Sequence, residues 1–128
     1  MTIPEQKLRT VGDFMTGDLI ALRPIDSVAR ARQVLADTSL HALPILDQDR
    51  AVGVVTLADC TGRFGAGLLG DVVARPPVTI GAGASVAAAA ALMRNEGIHH
   101  LLVTEDSPGA TEVVGILSSF DLLKAITD

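Results

Sequence analysis

The chain has 128 residues, a hydrophobic share of 48% and a formal net charge of −5 with its histidines neutral, which suits one compact domain or two small lobes. Its apolar residues come in short runs broken by Gly, Pro, Asp and Arg, whereas a membrane span needs about 20 in succession. The negative charge, the ten singly scattered Lys and Arg, and the absence of Tyr and Trp argue against a grip on nucleic acid.

Residues 1–10 are polar and carry Glu5, Lys7 and Arg9 without an apolar stretch behind a basic head, unlike a secretory leader; a cytoplasmic address is expected. Leu19 to Leu22 reads as a short strand. Ser27 is placed to cap a helix running to about Thr38, because Val28, Ala31, Val34 and Leu35 recur at helical spacing. Ala42 to Leu46, a turn at Asp47-Gln48-Asp49 and Ala51 to Thr56 predict a hairpin. A further helix begins after Thr56. It contains the lone Cys60, which excludes an internal disulfide and reads as a small half-buried residue rather than a catalytic thiol. Gly62, Gly65, Gly67 and Gly70 mark a connector and a short or loose helix before it.

The same series then returns. Val78 to Ile80 is a strand, Ser85 caps a helix to about Asn95 in which Ala87 to Ala91 favour helix by propensity, and Gly97 stops it. His100 to Thr104 and Glu112 to Leu117 form a second hairpin, and a last helix begins after Ser118. Gly12-Asp13 recurs as Gly70-Asp71, Ser27-Val28-Ala29 as Ser85-Val86-Ala87, and His41-x-Leu43 as His99-x-Leu101, each 58 positions later. Gly53 to Asp59 matches Gly115 to Asp121 at 62, so the second copy holds four extra residues, expected in the turn around Asp106 to Thr111. The predicted fold class is α/β (α+β), two tandem β-α-β-β-α repeats over residues 11–63 and 70–128 joined by a Gly-rich linker at 64–69. A lobe of about 55 residues is marginal alone, so the two sheets are expected to face each other about a pseudo-two-fold axis.

Thr56-x-x-Asp59 and Ser118-x-x-Asp121 stand where a strand gives way to a helix. Free N–H groups and the positive end of the helix dipole there favour an anion such as phosphate, while a carboxylate one turn inside suits a ribose diol. The competing explanation is a capping box, with hydroxyl and acid tying down the helix start. His41, His99 and His100 all precede or open a hairpin. They suit phosphate better than metal, because adjacent strand residues point to opposite faces and no Cys or third ligand is spaced to join them. No catalytic constellation appears, so a non-enzyme is expected.

These residues resemble the CBS domain family, also called Bateman modules when paired. The likeness covers Val11 to about Ala125 and rests on Val11-Gly12-Asp13-Phe14-Met15-Thr16, His41-Ala42-Leu43-Pro44-Ile45, Val52 to Asp59 and Val114 to Asp121. It implies clefts that draw on both repeats. The stronger site would use Thr16, Ala21, Leu40, His41, His99, His100, Ser118 and Asp121. The reciprocal one would use Thr56, Asp59, Thr79 and Ile98 with His41 and His99, and would be weaker, because Ala74 replaces the family's threonine and Ala42 stands where a basic residue is common. Leu102 replaces the usual strand proline, a packing variation. The implied function is non-enzymatic regulation by an adenine nucleotide, signalling to a separate partner protein from a homodimer built through exposed helices. With two lysines in the chain, AMP or ADP is expected before ATP, and no cofactor or metal is required. The alternative is a dimerising interaction scaffold that takes no nucleotide.

Overall fold

The protein is described by a computed structural model over residues 9–61, 67–73 and 76–127. It is a mixed α/β chain in two compact units, a continuous one, Leu19–Pro77, and a discontinuous one in which Met1–Asp18 joins Val78–Asp128. Residues 62–66, which carry Gly62, Gly65 and part of the linker, lie outside the described residues, as do most of 1–10 and Ala74.

In the continuous unit the Ser27 hydroxyl oxygen accepts from the Arg30 N–H at 3.0 Å and starts α1 (Val28–Asp37), whose buried face is Val28, Ala31, Val34 and Leu35. That is the periodicity expected of an amphipathic helix. β1 (Ala42–Asp47) turns through Gln48 and Asp49, both at positive φ, into β2 (Arg50–Thr56). Leu43, Ile45 and Val55 of the hairpin share a core with the α1 face, Leu22, Cys60 and Leu69. The four-residue α2 (Leu69–Val72) is held by its own first amides, Leu69 donating to Asp26 and Gly70 to Pro24, each at 2.9 Å.

In the discontinuous unit β3 (Thr79–Gly81) runs parallel to β4 (His100–Ser107), which pairs antiparallel with β5 (Ala110–Ser118). α3 (Val86–Glu96) is capped by Ser85 and closed by Gly97 at φ 66, a left-handed conformation that glycine adopts without a Cβ penalty. α4 (Ser119–Thr127) comes directly after β5. Val11, Ala89, Met93, Leu101, Val103, Leu117 and Leu122 make the core. Both hairpins bulge at the same place, between Ile45 and Leu46 and between Val103 and Thr104.

Three features depart from the sequence expectation. Leu19 to Leu22 is not a strand; only Leu22 bridges, to Ile45. The cause lies on the facing strand, where Leu102 donates its N–H to Val78 at 3.1 Å and the equivalent Pro44 has no N–H to give. Second, the four extra residues do not swell a loop. They add two rungs, Asp106↔Thr111 and Ser107↔Ala110, because Pro108-Gly109, with Gly109 at φ 81, closes a tight turn.

Third, the compact units cut across the sequence copies. Val11 and Gly12 of the first copy donate to Ala84 and Ala82 of the second at 2.9 Å, and Met15 lies over Gly115 so closely that a Cβ there would meet the thioether. Val73 of the second copy covers Gly53 of the first in the same way. Each unit therefore takes its hairpin from one copy and its docking segment from the other.

Candidate functional site

The two strand-to-helix corners fold alike. At the end of β5 the Ser118 N–H donates to Asp121 Oδ2 at 2.8 Å and its hydroxyl to the same oxygen at 3.0 Å, while the Asp121 N–H donates back to Ser118 Oγ at 3.2 Å. At the end of β2 the Thr56 N–H and hydroxyl donate to Asp59 Oδ2 at 2.8 and 3.0 Å. Thr10 and Asp13 repeat the pattern, N–H to Oδ2 at 2.8 Å. These are capping interactions, so the motif has a structural duty wherever it stands.

That duty leaves one oxygen over. A carboxylate offers about four lone-pair sites, and among the described residues nothing donates to Oδ1 of Asp121 or Asp59. No described buried side-chain oxygen or nitrogen lacks a partner, so each Oδ1 reaches the surface even though Asp121 is only 8% exposed. Such an oxygen, held in place from behind, can accept from a ligand hydroxyl without first being ordered.

Around Asp121 the fold gathers further predicted residues at one end of the sheet. His100 is the register partner of Ser118. The Ser119 N–H donates to the His99 carbonyl at 2.9 Å, and Thr16 exchanges backbone hydrogen bonds with Ile116 at 2.9 and 3.0 Å. His99 is exposed and His100 and Thr16 are half-buried. Thr79 lies exposed on β3 and Ile98 half-buried just before β4. In the continuous unit Leu40 and His41 precede β1 at the end where Ala42 pairs with Thr56, and Ala21 is exposed beside Leu22. The set expected for the stronger site thus divides, five residues in the discontinuous unit and Ala21, Leu40 and His41 in the continuous one.

The corners differ in the helix that each one opens. Asp121 sits in the first turn of the nine-residue α4, whereas Asp59 lies within a three-residue 3-10 turn, Ala58–Cys60. A longer helix presents a larger aligned dipole to an anion. Beside Asp59 the Cys60 thiol is pushed above its ordinary value, first by burial and then by the Asp59 charge, with Arg32 acting the other way. It is therefore held as a thiol rather than a nucleophilic thiolate.

One feature had no sequence signal. A depression of about 350 Å³ opens between α3 and α4, lined by Met93, Arg94, Ile98, His99, Ser119 and Leu122 among others. Its residues come from three separate elements, which no local pattern unites. Among the described residues no three His, Cys, Asp or Glu gather as a metal group, and no helix is long and apolar enough to cross a membrane.

The CBS domain pattern matches residues 11–64 and 69–128. Among curated relatives, an inosine-5'-monophosphate dehydrogenase from Korarchaeum cryptofilum is 28% identical over 110 residues, which are 85% of this chain and 22% of that protein. The chain thus spans about a fifth of that relative's length. Among solved structures, CBSX2 of Arabidopsis thaliana in complex with AMP is 27% identical, with a TM-score of 0.75 over 93% of this chain and 96% of that one. A CBS domain pair in complex with 5'-methylthioadenosine and S-adenosyl-L-methionine is 22% identical, with a TM-score of 0.81 over 94% and 97%.

Proposed function

The chain belongs to the CBS domain family, and from that premise we propose that it is a non-enzymatic regulatory module that binds an adenine nucleotide, AMP or ADP before ATP, at the Ser118–Asp121 corner. The observation that carries this is the surface-reaching Oδ1 of Asp121, whose partner oxygen is fixed by Ser118. It would accept from a ribose hydroxyl while the α4 N-terminus, His99 and His100 face phosphate. The AMP complex of CBSX2, 27% identical over nearly all of this chain, supports the ligand class. The Thr56–Asp59 corner is assigned a weaker site, in keeping with its shorter helical turn.

A ligand that favours one conformation shifts the population toward it by its differential affinity, and a separate protein would read the result. Self-association is assigned to the exposed faces of α3 and α4. Phe120, Leu123 and Ile126 of α4 are 66%, 56% and 76% exposed, an apolar stripe opposite a second buried one. That stripe, together with corners whose caps close without any ligand, favours one rival, a scaffold that dimerises and takes no nucleotide.

A thermal-shift screen separates the two. A ligand at about 100 times its Kd adds about 2.7 kcal/mol of stability. Stabilisation by AMP or ADP is expected, and Asp121→Ala should weaken binding more than Asp59→Ala. No response to AMP, ADP, ATP or S-adenosylmethionine would leave the scaffold, and equal losses in the two variants would overturn the ranking of the corners.

A further inference from the structure

We infer that Arg32 is a positioning residue for the Thr56–Asp59 corner: it closes the far end of the Ala58–Cys60 turn and so keeps the Asp59 carboxylate set for a ligand hydroxyl. The inference deepens the reading of that corner as a second nucleotide site, and rests on it. A helix leaves its last carbonyls without intrahelical donors, and a turn of three residues is nothing but ends. The Cys60 N–H donates to Leu57 at 3.0 Å, and the Thr61 N–H and hydroxyl both return to Ala58, at 3.4 and 2.9 Å. None of these bonds reaches the carbonyl of Cys60, a fully buried residue. Arg32 does, donating from Nε at 3.1 Å across from α1.

The other corner shows why this donor is needed here alone. Leu122 is the counterpart of Cys60, 62 positions later, and its carbonyl lies inside α4, where the helix supplies its own donor. The counterpart of Arg32, 58 positions later, is Ala90, which has no side-chain donor to give. An arginine thus stands where the helix is too short, and an alanine where it is long enough. The guanidinium sits where the carbonyls of the turn gather, the favourable end for a cation, and its charge works against burial in holding the Cys60 proton. Asp59 lies between the two ties, its Oδ2 held by the Thr56 N–H and hydroxyl at 2.8 and 3.0 Å and its backbone by a turn pinned at Cys60. Were that turn to fray, a ligand would have to order the carboxylate as it bound.

AMP titrated into the intact protein and followed by amide NMR reads the two corners separately, from the signals of residues 56–59 and 118–121. Arg32→Met keeps the aliphatic stem and removes the donor. In it, affinity at the Thr56–Asp59 corner should fall about fivefold, affinity at the Ser118–Asp121 corner should stay unchanged, and the Thr56 amide should exchange faster. Arg32→Lys places a cationic donor one bond further along the stem and should recover most of both changes. A loss in Arg32→Lys as large as in Arg32→Met, an unchanged affinity in Arg32→Met, or the same loss at both corners would each overturn the assignment. If AMP leaves the 56–59 amides of the wild type unmoved, the nucleotide reading of that corner fails by itself. The Thr56 exchange rate then decides the positioning, which a rate in Arg32→Met no faster than in the wild type would overturn as well.

Discussion

At the scale of the residue, the two hairpin glycines Gly53 and Gly115 answer to sterics. Gly53 lies under Val73, whose Cγ2 and Cβ would sit 3.0 and 3.1 Å from an added Cβ, and Gly115 lies under Met15 and the Thr16 carbonyl, 3.0 Å from one. Val73 is β-branched and cannot swing away, so Gly53→Ala should cost about 1–3 kcal/mol in urea unfolding. Val73→Ala should recover much of that loss in the double variant; additive losses would show that the contact is not the cause. Cys60 gives a pH prediction. Its folded pKa is raised from the ordinary 9.0, so the native state holds the proton more tightly than the unfolded chain does. The stabilisation is full below the unfolded value and is lost as pH rises through the raised one. A Tm profile in alkali should fall more steeply for the wild type than for Cys60→Ala. Parallel profiles would mean that the thiol is not desolvated.

At the scale of the element, the helices were legible because their signals are local. Ser27 and Ser85 cap where the apolar period begins, and Gly97 stops α3 where the period ends. The missing strand at Leu19 to Leu22 was not legible, because what decides it is a donor absent from Pro44, more than twenty positions away in the sequence. Leu102→Pro should copy that defect into the other unit. It removes the N–H to Val78 and should destabilise by about 1–3 kcal/mol, with amide exchange quickening in β3. Unchanged protection there would refute the explanation. The lengthened hairpin makes the opposite prediction. Residues 105–112 are all exposed, so deleting Asp106, Ser107, Ala110 and Thr111 should move stability by no more than about 0.5 kcal/mol. The corners at Thr56 and Ser118 were visible as motifs, but their capping geometry and the oxygen it leaves over needed coordinates.

At the scale of the whole molecule, the sequence repeat was plain, yet it does not tell which hairpin a docking segment joins. Local pattern fixes a segment's apolar face, not its partner, and two nearly equivalent sheets compete for it. The second copy alone, residues 70–128, lacks Val11 and Met15, and Val11 is fully buried in the other copy's core. Burying a valine contributes about 1.5 kcal/mol or more. That fragment should therefore show little native amide dispersion by NMR until a peptide of residues 9–18 is added. A fragment already folded by itself would contradict the exchange of segments.

The exchange also orders events during synthesis. Val11 and Gly12 leave the ribosome before any strand of their own sheet has been made, and their hydrogen-bond acceptors at Ala84 and Ala82 emerge about seventy codons later. Leu19–Pro77 can close on itself in the meantime. The segment from Val11 to Met15 is thus translated ahead of the sheet it joins, and until that sheet exists its apolar side chains are available to chaperones.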